Sequence, residues 1–438
     1  MKRRQFLKSI AFTGAAGLIL PRTTLFGANA PGNKLNIALL GTWGRGGAHF
    51  NAISTENVVA LCDVNEEHLA GAAKKWPNAK TYVDWRELLD KQKDVNAIVC
   101  CTADHTHSFV ANWAMNRGLH VYCEKPLANC VEEARVVRAT YLKNKNKLAT
   151  QCGTQRHAIE NFSRVREMIR DGAVGELQDV SVWGNRELPK PGYLPAAGEP
   201  PKGLHYDLWL GPSPSHPYNP GYFFGCLKWN MYWDFGSGQV GDMGSHTMDL
   251  AWNAIDATLP TSAEGKGDPF NPDVTPVKLV THFDHPANSW RGPIRLSWYQ
   301  GGAMPDTPAK FIDLKQISHG VLFEGTNGYL VADFSNRMLF PQGKKADLTY
   351  YKPRAKDKLI PALGGFQEEW INACKGSLKT SCDFEYSANL IETMLLGLVA
   401  YRVGKKISYD GAAGRVTNSP EADALLRRTY RPGWTLNG

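Results

Sequence analysis

Leu35-Asn36-Ile37-Ala38-Leu39-Leu40-Gly41-Thr42-Trp43-Gly44-Arg45-Gly46-Gly47 reads as a buried strand running into a glycine-rich turn. The apolar run lacks polar alternation, as expected of a parallel strand covered on both faces. The glycines permit a tight turn and let backbone amides and a following helix N-terminus face a pyrophosphate. Asp63 ends the next apolar run, 22 residues beyond Gly41. At that spacing a carboxylate takes both hydroxyls of an adenosine ribose. Val64 and Asn65 follow it, with no adjacent arginine to meet a 2′-phosphate, so NAD is expected over NADP. Trp43 stands where the second glycine of such a fingerprint usually stands.

Outward from this stretch, residues 58–62, 97–101, 120–123 and 148–151 read as further buried strands. Residues 66–75, 107–117 and 131–145 between them carry apolar stripes of helical period. The series predicts an α/β domain over residues 31–152, a doubly wound parallel sheet of Rossmann type. Residues 153–438 change character. One amphipathic helix over 158–172 precedes strand-like runs at 177–183, 277–283, 294–299, 320–324 and 329–333, with helices at 245–255 and 387–403. The expectation is an α+β domain with a large open, mainly antiparallel sheet. The Pro/Gly-rich stretches 188–220 and 258–275 read as long loops, whose length points to function.

At the N-terminus, Arg3-Arg4-Gln5-Phe6-Leu7-Lys8 precedes a short apolar run, and Ala28-Asn29-Ala30 offers a cleavage site. Residues 1–30 are expected to be a twin-arginine signal that sends the folded chain to the periplasm, the mature protein starting at Pro31. The run is too short and too rich in small residues for a bilayer span of ~20 apolar residues. The formal charge is +8, and five of those positives lie in residues 1–30 without an acid among them. The remainder leaves no footprint for nucleic acid or an anionic membrane. Nine cysteines show no C-x-x-C pair. Those on the parallel strands are expected as small buried hydrophobes rather than ligands or disulfides.

The chemistry is expected where strands end. Thr102-Ala103-Asp104-His105-Thr106-His107 follows the fourth strand, at the crevice where open α/β sheets bind ligands. No further His or Cys of suitable spacing follows, so no metal site is expected. Glu124-Lys125-Pro126 ends the fifth strand, and Pro126 holds Lys125 in an extended or turn conformation there. Asp242 and His246, four apart at the start of a helix, would share a face, the carboxylate fixing the imidazole tautomer. Asp249 could cap or pair on the same side. Arg156 and His157 fall where the two domains should meet. Most of the thirteen tryptophans follow residue 180. Trp183, Arg186, Trp229, Tyr232 and Trp233 could line a sugar pocket, or, for the aromatics, belong to the core.

These motifs together resemble the Gfo/Idh/MocA family of glucose–fructose oxidoreductase and inositol dehydrogenase type. Asp207-Leu208-Trp209-Leu210-Gly211-Pro212 and Tyr232-Trp233-Asp234-Phe235-Gly236 look like its exported bacterial branch. The resemblance implies Lys125 as catalytic lysine and Asp242–His246 as catalytic dyad. It implies a cofactor site drawn from Gly41, Thr42, Trp43, Gly44, Arg45, Gly46, Asp63, Thr102, His105, His107, Glu124 and Lys125. Arg156, His157, Arg186, Trp233 and His246 are the candidate substrate contacts. Ala103 stands where the family usually has proline. The implied reaction is hydride transfer between a sugar or glycoside carbon, C3 among the candidates, and a nicotinamide. Outside the cytoplasm free NAD is scarce, so a tightly held NAD is expected. A redox-neutral NAD-dependent glycosidase and a non-catalytic sugar-binding protein are the alternatives. For the first, Tyr193, His205, Tyr206 and Tyr232 are candidate bases for the C2 proton. A dimer or tetramer is the expected assembly.

Overall fold

The fold is taken from a computed structural model that describes residues 33–186, 188–307, 312–342 and 347–438. The twin-arginine segment lies outside those residues. Six strands, β1 (Asn36–Leu40), β2 (Asn57–Cys62), β3 (Lys80–Tyr82), β4 (Ala97–Cys100), β5 (His120–Cys123) and β6 (Thr150–Cys152), form one sheet in the order β3-β2-β1-β4-β5-β6. Every pairing in it is parallel. Ile37, Leu39, Ile98 and Val121 are fully buried, which is why these strands are continuously apolar. The strand order reverses between β1 and β4, and the crevice at that switch point opens beside Gly41.

The second sheet has nine strands in the order β13-β12-β11-β7-β10-β9-β8-β14-β15. They are β7 (Leu177–Gly184), β8 (Ser262–Gly267), β9 (Leu279–His285), β10 (Ile294–Gln300), β11 (His319–Gly325), β12 (Gly328–Ala332), β13 (Arg337–Pro341), β14 (Ile407–Asp410) and β15 (Arg415–Val416). The β7–β10 pair alone is parallel among these described strands. Residues of β9 alternate between buried and half-buried, as expected of a sheet covered on one face. Helices Ser245–Ile255 and Phe384–Val403 supply that cover.

Two departures from the sequence reading have physical causes. Strand β8 falls inside the stretch 258–275 expected as a loop. Its sequence, Ser-Ala-Glu-Gly-Lys-Gly, carries almost no apolar signal. It works as a strand through smallness, because a Cβ at Gly265 would stand 2.7 Å from the Gly397 carbonyl oxygen of the covering helix. The second departure is that late parts of the chain return to the parallel sheet. Helix Phe366–Lys375 packs Phe366, Trp370 and Ile371 into a cluster with Ile37, Leu39 and Tyr122. Near the C-terminus, the Thr435 carbonyl accepts from Trp113 Nε1 at 2.8 Å and that of Leu436 from Asn112 at 2.9 Å. No described helix is long and apolar enough to cross a membrane.

Candidate active site

The glycine-rich turn is built by close approach. Gly41 has φ +80°, and a Cβ there would lie 2.4 Å from the Cys101 carbonyl oxygen. A Cβ on Gly46 would lie 2.0 Å from the Gly41 carbonyl oxygen. Only glycine lets the turn tuck against the end of β4. Asp63, at the end of β2, accepts from the Thr42 amide at 2.8 Å and the Thr42 hydroxyl at 3.1 Å. From Gly41 and Asp63 a groove of about 1130 Å³, its open side included, runs past Val64, His68, Thr102 and Ala103. Its far wall comes from the second domain, through Leu204, Leu208, Trp209, Phe223 and Phe224. These residues fit a dinucleotide: a glycine cradle at one point, a carboxylate at the ribose position and apolar walls for a flat ring.

A strap crosses this groove that the sequence did not foretell. The Glu66 amide donates to the Gly203 carbonyl at 2.9 Å, and the His205 amide to that of Val64 at 2.8 Å. His205 Nε2 also lies 2.8 Å from Glu66 Oε1. Trp43, half exposed, stacks on His68 with ring centres 4.8 Å apart, and Phe224 stands edge-on to it at 6.3 Å. The missing second glycine is therefore replaced by one member of an aromatic cover.

The turn and the Glu124-Lys125-Pro126 segment are locked to one another. Glu124 Oε1 accepts from Arg45 Nε at 2.7 Å and lies 2.9 Å from His49 Nε2. Burial alone would raise the Glu124 pKa, but His49 and Arg45 outweigh it and bring it down to about 2. Glu124 and Arg45 are thus spent on each other, and their contribution to the groove is to hold its floor. His107 lies 2.8 Å by Nδ1 from the Pro126 carbonyl and 2.9 Å by Nε2 from that of Thr102. Both acceptors are carbonyls, so both ring nitrogens donate and the ring is an imidazolium. Burial opposes that charge, but Cys100, Asp104 and the two carbonyls raise the pKa. His107 ties the ends of β4 and β5 together. His105 donates instead to the Trp209 carbonyl at 2.8 Å, and burial lowers its pKa to about 4. The groove lining includes Thr102, Ala103 and Thr106 and bypasses both histidines.

The Lys125–Pro126 peptide is cis, and Lys125 Nζ donates to Asp242 Oδ1 at 2.5 Å. The expected dyad acquires a third member, since Asp242 acts on His246 through its charge while hydrogen-bonding Lys125. Asp242 lies in a π-helical turn, Val240–Gly244, immediately before helix Ser245–Ile255. Asp242 pairs with Lys125, while His246 keeps its Nδ1 buried and without a hydrogen-bond partner. Burial, then the charges of Lys125 and Arg156, hold the His246 pKa well below its ordinary value, so the ring is neutral. Burial works against the Lys125 ammonium, but Asp242 outweighs it and raises the lysine. Burial likewise opposes ionised Asp242, and Lys125 followed by Arg186 overcomes it and lowers the carboxyl.

Asp249 serves His157 rather than His246: its oxygens lie 2.9 and 3.0 Å from His157 Nδ1, and Tyr386 donates to it at 2.5 Å. Arg186 Nη1 lies 3.6 Å from Asp242 Oδ2, and the charge of Arg156 helps to lower the His246 pKa. Trp233 turns away, donating to the Asn271 carbonyl at 2.9 Å under the Arg402 guanidinium. Trp183 is core, and Trp229 lines the groove. His319 and Phe334 join Arg156 beside the site from β11 and the β12–β13 hairpin; no motif marks either one. Two clusters, Cys100–His107–Cys123 and His157–Asp249–Cys382, bring ligand-type atoms within 4.8 Å of one another. In each the imidazole is already engaged as described.

Residues 35–152 match the family GFO_IDH_MocA, described as an oxidoreductase family with an NAD-binding Rossmann fold, and residues 193–278 match its C-terminal alpha/beta domain. An inositol 2-dehydrogenase of Salmonella typhimurium is 31% identical over 127 residues, which are 29% of this chain and 37% of that protein. A glycosyl hydrolase family 109 protein of Stenotrophomonas maltophilia is 27% identical over 252 residues, 52% of this chain and 49% of its own. The chain thus spans about a third to a half of these relatives' length. The WlbA dehydrogenase from Bordetella pertussis, solved with NADH and UDP-GlcNAcA, superposes with a TM-score of 0.61. That likeness covers 86% of this chain and 98% of the other at 16% identity, and speaks for the fold alone. Residues 35–152 thus carry the family's NAD-binding domain and residues 193–278 its C-terminal pattern, and in these two stretches the chain is similar to the Gfo/Idh/MocA oxidoreductases.

Proposed function

We propose that the protein is an NAD-dependent oxidoreductase that moves a hydride between a hydroxyl-bearing carbon of a sugar or glycoside and a nicotinamide. The observation that carries this reading is a charged Lys125 near enough to act on a neutral His246 whose Nδ1 has no hydrogen-bond partner. NAD, when bound, supplies the hydride acceptor. His246 takes the hydroxyl proton as general base. Lys125 donates a hydrogen bond to the same oxygen and stabilises the negative charge that develops there. Asp242 keeps Lys125 charged and aimed.

The proposal includes a retained cofactor, supported by the Gly203–His205 strap and the Trp43 cover, with C3 as the first carbon to test. It also includes export by the twin-arginine route, supported by Arg3-Arg4 and by nine cysteines that are all free thiols, which suits folding in a reducing cytoplasm. The half-buried face of the nine-stranded sheet is the surface through which a dimer or tetramer would form.

The glycosyl hydrolase relative favours a second reading, in which transient oxidation acidifies a neighbouring C–H and the aglycone is eliminated. The tyrosines considered as its extra base are already engaged or buried. Tyr193 donates to Asp234 at 2.7 Å, Tyr206 to the Pro217 carbonyl at 3.1 Å, and Tyr232 is fully buried. His205 is held in the strap. One assay separates the readings: the purified protein is mixed with p-nitrophenyl glycosides while bound NADH absorbance and nitrophenol release are followed together. Absorbance change without release supports the dehydrogenase, and release without net absorbance change the glycosidase. Neither, with sugar binding retained, would make it a binding protein.

A further inference from the structure

The substrate side of the site is lined by more cations than the chemistry requires. Lys125 is already matched by Asp242. Arg156, between β6 and helix Glu160–Arg170, has no carboxylate partner among the described residues; its guanidinium lies 4.0 Å from the Phe334 ring centre. Arg186, just past β7, holds its Nη1 3.6 Å from Asp242 Oδ2, beyond hydrogen-bond reach, and its side chain is 46% exposed. His319, at the start of β11, packs beside the same Phe334 ring at 6.1 Å. Its Nε2 is buried without a partner. Arg186 stands close enough to act on Arg156: burial, then Arg186, pulls the Arg156 pKa down. Burial followed by Arg156 and Arg186 also keeps His319 neutral. Two like charges at one site mouth, with the unpartnered His319 ring nitrogen near them, form an arrangement that an anion would relieve.

We infer that the ring entering this site carries an oxyanion, a carboxylate or a sulfate or phosphate ester, bound between Arg156 and Arg186: the substrate is an acidic sugar. The inference rests on the oxidoreductase reading of the site and narrows its substrate class. Phe334 fixes Arg156 by stacking under its planar face, which leaves the guanidinium edge free for a two-pronged bond to an oxyanion. A neutral sugar would leave Arg156 without an anionic partner and Arg186 with only its long contact to Asp242.

The test uses the protein as purified, with its cofactor, and four probes: glucuronic acid, glucose 6-sulfate, glucose 6-phosphate and glucose. Binding is followed by tryptophan fluorescence or calorimetry. At least one anion is expected to bind tenfold or more tightly than glucose, with an affinity that weakens as salt is raised; which anion does so distinguishes carboxylate from ester. Arg156→Met and Arg186→Met, checked for unchanged thermal midpoint, should each lower the charged-over-neutral preference about tenfold, the equivalent of about 1.4 kcal/mol. Glucose binding as tightly as all three anions overturns the inference. So does a preference that survives both substitutions. Failure of the oxidoreductase reading is seen separately, as a bound nicotinamide whose absorbance responds to no sugar, charged or neutral, while anion binding persists.

Discussion

Lys125 and Asp242 lie 117 positions apart and meet at 2.5 Å, the lysine from the end of a parallel strand and the carboxylate from a π-helical turn. Each holds the other's charge against burial. The lysine is thereby fixed as an ammonium near a histidine that rests neutral.

Asp242→Asn should remove the attraction that keeps Lys125 protonated, leaving burial to lower its pKa. The expected outcome is a loss of about 10²-fold or more in kcat. The alkaline limb of the pH–rate profile should also move to lower pH, with bound NAD content unchanged. An alkaline limb that stays in place would show that Lys125 does not depend on Asp242.

His246 must be neutral to act as base, and its pKa lies well below the ordinary value of about 6.5. Activity should therefore persist as pH falls through 6.5, with the acid limb of kcat/KM lying lower. His246→Ala should cost about 10²- to 10⁴-fold in kcat. A limb centred at 6.5 would mean that another histidine is the base.

Glu124 has a folded-state pKa of about 2 against 4.5 for the free group. Its contribution to stability is thus present in full above pH 4.5 and lost as pH falls through 2. Glu124→Gln leaves Arg45 and His49 without their charge partner and should lower stability by about 3 kcal/mol at neutral pH. The difference from wild type should shrink toward pH 2. Denaturant melts across that range check both the size and the direction.

Trp43→Gly restores the usual glycine and removes one layer of the cover over the groove. NAD should leave the protein faster, measured by cofactor released from the isolated protein over time. An unchanged release rate would assign retention to the Gly203–His205 strap instead.

Much of this fold was legible because its signals are local. Continuous apolar strands, the glycine turn and Asp63 mark the first domain without reference to anything distant. Strand β8 was not legible, since its residues are chosen for small size against Gly397 and the helix around it. The strap was missed for a similar reason: Gly203, Leu204 and His205 pair by backbone with Val64 and Glu66, and backbone pairing leaves no mark on side-chain pattern. The Asp242–His246 spacing left out Lys125, because a partner 117 positions away leaves no mark on local spacing.

The sequence by itself determined the strand–turn–strand frame, the glycine cradle and the identity of the residues able to do proton chemistry, because sterics and polarity act within a few neighbouring positions. Which of those residues pair was decided only by the tertiary structure. Lys125 takes Asp242, His157 takes Asp249, and His246 is left free, since the energies of buried charges depend on what stands within a few ångströms in space.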